Sequence, residues 1–377
     1  LELEAVTPVF MRGADQSRVE IRAASIKGLM RWWFRALAGN YFGGNVTQIK
    51  EAESYVFGST EQKSRVNVIV SNVNQRPKKL IFNTRRNPRG RLVPNFDRDS
   101  HLAELSYLWF SIKLQAEEFF KKDIGPKYRW NKAQIDSALE AENIFFYPSN
   151  TKFSVEIRSQ DERALKLALI SFWALVSLGG VGFRSRRGAG SLMFADGDIN
   201  VFEDMGLKTR FRKLDDFKAS ISNSIKLLGD YLPEKREIIH NLTPKPYAIL
   251  SNQTSYVGLV NLGCNDPILC LSNFGREYQK FRKNRQNFLR RVVFGLPIVK
   301  SDIRGYNLKS KRRASPMLVG VTYIGRKPYI RLVKFITDPY YKDEDDDVNS
   351  IAQWNTLKDF NSQLAESKVF GSLEVFR

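Results

Sequence analysis

The residues with the clearest chemical potential lie in one glycine- and arginine-rich segment, residues 179–190. The segment contains five glycines and three arginines, Arg184, Arg186 and Arg187. Glycine lets a backbone approach a ligand closely, and the planar guanidinium group donates to phosphate oxygens and stacks on bases. A helix C-cap would explain one glycine but not five. Neither a Walker loop nor a dinucleotide fingerprint fits, because no Gly-Lys-Ser/Thr is present and the segment follows a predicted helix.

A second group of cations lies along the first predicted helix, for which Ser25 is the predicted N-cap. Lys27, Arg31 and Arg35 follow at intervals of four residues, so they share one face at a repeat of roughly 6 Å. No acidic residue lies between them, and Arg22 precedes them closely. Together with free N–H groups at the helix N-terminus, such a row suits the phosphates of a nucleic acid. A solvated basic face that binds nothing is the alternative.

The overall charge also points to a polyanionic partner. The chain has 60 Lys and Arg against 40 Asp and Glu, a formal net charge of +20. Self-repulsion of this size destabilises a compact state unless a polyanion such as nucleic acid neutralises it, although a thermophile-like charged surface is an alternative. Residues 62–96 contain basic residues and no acidic one, and residues 74–94 are predicted to form a basic loop. In residues 278–337 only Asp302 is acidic, and the candidate phosphate ligands there are Lys283, Arg285, Arg290, Arg291, Arg312 and Arg313.

Residues suited to catalysis or metal binding are few. A metal-independent ribonuclease would use a histidine, whose pKa lies near neutrality, as general acid or base. The candidates are His101 and His240, with Asp15 as a carboxylate alternative, and none has a recognisable partner in the sequence. Cys264 and Cys270 do not form a zinc-binding pattern with the histidines. We therefore expect reduced thiols, no metal and no cofactor.

The elements that would position these residues alternate between strands and helices, twice over. Apolar periodicity predicts helices near residues 26–37, 162–178, 217–228, 274–289 and 351–364. It predicts strands near residues 1–6, 66–73, 105–114, 153–157, 191–194, 255–262 and 369–376, and a hairpin of 317–324 with 329–336. The fold class is therefore α+β. We predict two β-α-β-β-α-β domains, residues 1–205 with the basic insertion 74–94, and residues 206–377.

Several short motifs occur together in a familiar order. They are Thr7–Phe10, the Ser-x-Lys-Gly-x-x-Arg pattern of Ser25–Arg31, Trp32–Arg35, Phe57–Ser59, the glycine-rich segment and Arg312–Pro316. Their combination resembles the RAMP superfamily of CRISPR proteins, and their order is similar to RAMP subunits of type III-B (Cmr) effector complexes. The likeness extends over both halves of the chain.

The resemblance implies two ferredoxin-like (RRM-like) domains with insertions and a non-catalytic role. The implied partners are crRNA, target single-stranded RNA and other Cmr-complex subunits, with a position near the 3′ end of the guide. We expect a cytoplasmic prokaryotic protein with no membrane contact, since the longest apolar stretch, residues 165–178, is shorter than a membrane span. Some RAMP relatives cleave RNA, so a guide-processing endoribonuclease is the second hypothesis. A scaffold whose charge meets acidic proteins is the third.

Overall fold

The computed structural model describes residues 1–13, 15, 18–86, 92–96, 102, 105, 107–109, 112, 144–195, 199–283, 294, 314–337, 346–366 and 372–376. The elements of the first half are β1 (Glu2–Ala5), α1 (Ala23–Phe42), α2 (Val46–Phe57), β2 (Asn67–Ser71), β3 (Lys78–Lys79), β4 (Phe82–Arg86), β5 (Leu92–Phe96), β6 (Phe145–Phe146), β7 (Lys152–Arg158), α3 (Glu162–Leu178) and β8 (Leu192–Phe194). Those of the second half are α4 (Asn200–Glu203), α5 (Leu214–Tyr231), β9 (Ser255–Asn261), α6 (Pro267–Lys283), β10 (Met317–Ile324), β11 (Lys327–Phe335), α7 (Asp346–Ala365) and β12 (Ser372–Phe376).

Two four-stranded sheets with the same strand order form the framework. The first has the order β2-β7-β1-β8 and the second β10-β11-β9-β12, and every pairing is antiparallel. In each sheet the strand that comes first in the chain lies between the third and the fourth, and helices separate the first strand from the second and the third from the fourth. The predicted α+β class is therefore confirmed, and both sheets are antiparallel.

The second sheet is apolar on both faces. Along β10, Leu318 packs into the core that contains α1 and α3, whereas Val319 packs into the core formed with α6 and α7. β11 alternates in the same way, with Val333 in the first core and Leu332 in the second. The helices of the first half thus cover one face of this sheet. Strands buried on both faces carry near-continuous apolar runs, as β10 does, whereas Arg331 and Lys334 interrupt the run of β11.

One buried arginine crosses this contact. Arg331 on β11 is 1% exposed and donates from Nη1 to the carbonyl of Ser177 at 2.6 Å and from Nη2 to the carbonyl of Gly179. These carbonyls lie at the C-terminal end of α3, where helical carbonyls lack partners within the helix. Burial lowers the pKa of Arg331 to about 9. Its cross-strand partner is Gly320, where a Cβ would overlap the guanidinium group.

Four sequence predictions need correction. α1 begins at Ala23, so Ser25 lies inside the helix, and Arg22 is the N-cap with its N–H directed to Met11 Sδ. The predicted strand 105–114 is wrong, because its described residues have helical or turn conformation. The apolar residues that prompted it, Leu105, Leu108, Trp109 and Ile112, are spaced by three and four, which is the helical period.

The other two corrections concern the basic loop and the cysteines. Residues 74–94 were predicted to be a loop, but β3 pairs with β6, and β4 pairs with β5 from Phe82↔Phe96 to Arg86↔Leu92. Pro88 and Gly90, which favoured a loop, lie outside the described residues. Cys264 and Cys270 form a disulfide rather than two reduced thiols, since the first turn of α6 brings their Cα atoms to 5.7 Å.

The contact between Gly320 and Arg331 yields a prediction. Gly320→Ala should lower the free energy of unfolding by about 1–3 kcal/mol, because the added methyl group displaces a guanidinium held in a packed core. Gly28→Ala is the matched control: it lies exposed on α1 with nothing near its would-be Cβ, and it should raise stability by up to about 1 kcal/mol. Urea unfolding of both variants measures this. Equal effects of the two changes would contradict the role assigned to Gly320.

Candidate nucleic-acid interface

The glycine-rich segment 179–190 connects α3 to β8 and lies against the chain that leaves β1. The N–H of Phe183 donates to the carbonyl of Phe10 at 2.5 Å, and the N–H of Gly190 donates to the carbonyl of Pro8 at 2.8 Å. Gly182 and Gly190 have φ values of 81° and 63°, and a Cβ at either would collide with a backbone carbonyl. These two glycines therefore permit close packing of two backbone segments.

Arg186 and Arg187 of this segment bind groups of the second half of the chain, and Arg184 binds a group of the first half. Arg186 Nη1 donates to the carbonyl of Ser315 at 2.5 Å. Arg187 donates from Nη1 to Ser315 Oγ at 3.1 Å and from Nη2 to the carbonyl of Phe294 at 3.2 Å. Arg184 Nη2 donates to the carbonyl of Leu108 at 2.5 Å. These partners are neutral, so the hydrogen bonds position the guanidinium groups without cancelling their charge.

A fourth arginine joins them and completes what we call the arginine cluster: Arg184, Arg186, Arg187 and Arg282. Arg282 belongs to the last turn of α6 and lies 5.5 Å from the Tyr278 ring, and Arg187 lies 5.5 Å from the same ring. Burial, then the nearby charge of Arg187, lowers the pKa of Arg184 to about 10 and also lowers the pKa of Arg186. Within the described ranges, no carboxylate forms an ion pair with Arg186, Arg187 or Arg282. The cluster is therefore a concentrated positive charge that an anion would stabilise.

The basic face of α1 is more neutral than the sequence suggests. Glu53 on α2 has a side chain only 5% exposed, and its oxygens lie 2.5 Å from Arg31 Nε and 2.7 Å from Arg35 Nη1. No acidic residue lies between these cations in the sequence, and the charge that offsets them comes from the neighbouring helix. Arg31 and Arg35 still expose about a third or more of their side chains, 35% and 41%.

Lys27, the first cation of that face, lines a broad groove of about 1060 Å³ between α1, the 62–67 segment and residues 158–161. Its Nζ donates to Ser64 Oγ at 2.7 Å and to the carbonyl of Val66 at 2.9 Å. Burial, then repulsion from Arg31, lowers the pKa of Lys27. The groove has mixed charge, because Arg65 on its wall lies 3.4 Å from Asp161. It is a weaker anion site than the arginine cluster.

A smaller cleft of about 420 Å³ opens beside the glycine-rich segment. Its walls include Arg12, the helix positions Ser25 and Leu29, and Phe183, whose side chain is 43% exposed. An exposed aromatic ring next to cationic side chains is the arrangement on which nucleic-acid bases stack. The cleft thus adds a surface for bases beside the groups suited to phosphates.

The remaining predicted ligands are distributed as follows. Arg22 Nε lies 2.9 Å from Glu20 Oε1, and Lys283 is exposed at the end of α6, one residue beyond Arg282. Arg285, Arg290, Arg291, Arg312 and Arg313 lie outside the described residues. The structure thus brings the glycine-rich segment and the end of α6 together, whereas Arg31 and Arg35 of α1 lie against α2 and Lys27 lies against the 62–67 segment. Sequence reasoning missed Arg282 and Glu53; the four-residue spacing of Arg282 from Tyr278 on one helix was the available signal for the former.

The residues considered for catalysis do not come together in the described part of the chain. His240 is exposed, and its carbonyl accepts a hydrogen bond from Gln253 Nε2. Asp15 lies 3.4 Å from Arg18, and both side chains are mostly exposed. His101 lies outside the described residues. Among the residues described, no group of three or more His, Cys, Asp or Glu could hold a metal ion, and no helix has the length and apolar character to span a membrane.

The pairing of Glu53 with two arginines yields a second prediction. Glu53→Gln should lower the free energy of unfolding by roughly 1–3 kcal/mol, because two adjacent cations lose their buried counter-charge. The same change should strengthen binding to a polyanion, since Arg31 and Arg35 become available. Urea unfolding and titration with single-stranded RNA measure the two effects. Glu51→Gln, exposed on the same helix, is the control, and a Glu53 variant that behaves like it would refute the assignment.

Comparison with known proteins agrees with this architecture. The RAMP superfamily model matches residues 2–193, and that of the Cmr1-like C-terminal region matches residues 256–371. The CRISPR system Cmr subunit Cmr1-1 of Pyrococcus furiosus is 36% identical over 377 residues, covering 98% of this chain and 97% of the relative. Cmr1-2 of the same organism is 39% identical over 191 residues, 51% of this chain and 91% of the relative.

Solved structures show the same relationship. The crystal structure of Cmr1 from Pyrococcus furiosus in its apo form superposes with a TM-score of 0.66 at 33% identity, covering 99% of this chain and 97% of that one. A chain in the cryo-EM structure of the type III-B Cmr-beta bound to cognate target RNA shares the fold, with a TM-score of 0.58 at 15% identity and coverage of 96% and 98%. The chain therefore belongs to the RAMP superfamily and, within it, to the Cmr1-like family.

Proposed function

We propose that this protein is a non-catalytic RNA-binding subunit of a type III-B CRISPR (Cmr) effector complex. Its ligands would be crRNA and target RNA, near the 3′ end of the guide, and its protein partners the other Cmr subunits. The relatives named above are Cmr subunits, and one structural neighbour belongs to an assembly bound to cognate target RNA. These likenesses support membership of such a complex, and the charge distribution supports the RNA.

The observation that carries the RNA assignment is the arginine cluster. Four guanidinium groups converge where the glycine-rich segment meets α6, and hydrogen bonds to neutral carbonyl and hydroxyl groups hold three of them in place. Mutual repulsion of such groups destabilises the protein unless an anion neutralises their charge. The arginine guanidinium group is well suited to bidentate hydrogen bonding with phosphate. RNA phosphates meet this requirement independently of base sequence.

The proposed domains are two ferredoxin-like modules, residues 1–205 and 206–377. Their support is the strand order, which in both sheets is that of a β-α-β-β-α-β unit. α5 lies beyond the proposed boundary yet packs against the first module, since Tyr41 Oη donates to the carbonyl of Ile225 at 2.8 Å. The two modules are accordingly coupled by helix packing as well as by the buried second sheet.

RNA would lie along the junction of the modules rather than across the first sheet. RRM-type sheets stack bases on aromatic side chains of their open face. In the first sheet, the face opposite α1 and α3 carries Glu2, Glu4 and Glu156 instead, with Lys152 and Ser154 beside them. Carboxylates repel phosphates, so this face disfavours a nucleic acid, whereas the junction carries the arginine cluster.

Replacing two arginines of the cluster tests the binding mode. Arg186→Gln with Arg187→Gln should weaken binding to single-stranded RNA of any sequence. The slope of log affinity against log salt should fall by about 0.7 for each lost phosphate contact. The control is Lys226→Gln with Lys235→Gln, an equal charge change at exposed sites on and beyond α5. Affinity and slope equal to those of the control, in a folded variant, would reject the cluster as a phosphate site.

The endoribonuclease alternative makes an opposite prediction. A non-catalytic subunit should leave labelled RNA intact on a denaturing gel after prolonged incubation. If cleavage products appear, the triple variant His101→Ala, His240→Ala and Asp15→Ala separates a reaction of this chain from contamination. Products that disappear with the triple variant would replace our proposal by the nuclease, and products that persist would exclude these three residues as its catalysts.

A further inference from the structure

The free edge of β10 is covered at two points. Beside the second point lies a cleft that contains none of the site residues predicted from the sequence. Near its start, a parallel bridge joins Val319 to Arg187 of the glycine-rich segment. At its end, a parallel bridge joins Ile324 to Phe211, and the N–H of Gly325 donates to the carbonyl of Phe211 at 2.7 Å. Between the latter bridge, β8 and the end of α3 lies a cleft of about 480 Å³, which we call the edge cleft.

The mouth of the edge cleft is strongly basic. Arg210, Arg212 and Arg326 line it, and all three are exposed. No carboxylate pairs with Arg212 or Arg326 in the part of the chain that the structure describes. The nearby Asp216 is already engaged, since it accepts hydrogen bonds from Lys208 Nζ at 2.6 Å and from the N–H of Arg212 at 2.9 Å.

A buried polar side chain forms part of the wall of the cleft. Thr209 is 6% exposed, lines the cleft, and its Oγ1 has no hydrogen-bond partner among the described residues. A buried hydroxyl without a partner is uncommon and costs free energy. Tyr323 also lines the cleft, and burial, then the charges of Asp266 and Glu4, raises the pKa of its hydroxyl.

We propose that the edge cleft binds backbone phosphate of the same single-stranded RNA that the arginine cluster holds, which rests on the proposed function above. Ile324 lies five positions beyond Val319 along β10, a distance of about 17 Å at roughly 3.4 Å per residue. A strand of about five stacked nucleotides spans that distance. β10 therefore sets the distance between two phosphate sites. A continuous polyanion satisfies both, whereas an acidic protein segment would need carboxylates at the same separation.

The spacing makes the test depend on RNA length. Anisotropy titrations of the full chain would use labelled oligoadenylates, whose bases stack, of 4 and 15 nucleotides at two salt concentrations. Arg212→Gln with Arg326→Gln should weaken binding of the 15-mer about tenfold and reduce its salt slope by about 1.4, from two contacts at about 0.7 each. It should leave the 4-mer unchanged, because that probe cannot reach both sites.

The controls separate this inference from the proposed function. Lys226→Gln with Lys235→Gln carries the same charge change away from the cleft, and Arg212→Lys with Arg326→Lys should retain part of the binding. If the unsubstituted chain fails to bind the 15-mer, the proposed function fails and the edge cleft with it. If the unsubstituted chain binds the 15-mer, and Arg212→Gln with Arg326→Gln has the same affinity and salt slope as Lys226→Gln with Lys235→Gln, only the edge cleft is refuted. Unchanged RNA affinity with lost association to another Cmr subunit would also refute it, in favour of an acidic protein partner.

Discussion

The arrangement of the molecule depends on the burial of the second sheet on both faces. Its own helices, α6 and α7, cover one face, and the helices of the first half cover the other, with Trp32 edge-on to Phe335 at 5.5 Å. A surface so apolar could not remain exposed, so the two halves must pack together. Apolar packing alone would allow the sheet to slide over the helices. The hydrogen bonds of Arg331 to the end of α3 fix the position of the second sheet relative to that helix. The start of the glycine-rich segment is fixed by the same bonds.

Because the two halves pack together in this way, positive charge is distributed unevenly over the molecule. On α1 the cations lie beside α2, where Glu53 compensates two of them. Along the junction, the second half supplies carbonyl and hydroxyl groups rather than carboxylates, so the guanidinium groups keep their charge. The net charge of +20 is therefore not a uniform field. The junction is where a polyanion gains most, since partly desolvated charges are screened little by salt.

Local pattern predicted most of the long elements but not α2 or the β4–β5 pair, and it did not predict contacts between residues distant in the sequence. The hairpin of β10 and β11 is confirmed because its apolar runs and its turn are adjacent in the sequence. The strand expected at 105–114 is wrong, because a short apolar run carries little information about its period. Glu53 is 22 residues from Arg31, and Ser315 is 129 residues from Arg186. Only tertiary packing decides such pairs, so the sequence identified the arginines of the glycine-rich segment but not what holds them.

The tethering of those arginines has a thermodynamic consequence. Side chains that are already ordered before a ligand arrives lose little rotamer freedom on binding, and an immobilised arginine would otherwise cost about 0.5–1.5 kcal/mol. Leu108, Phe294 and Ser315 hold Arg184 and Arg187 through bonds formed on folding. The site is thus preorganised, because the conformational entropy of these side chains is lost when the protein folds and not when a ligand binds. Partners bound there should consequently dissociate slowly relative to those held by mobile lysines, and backbone movement on binding should be small.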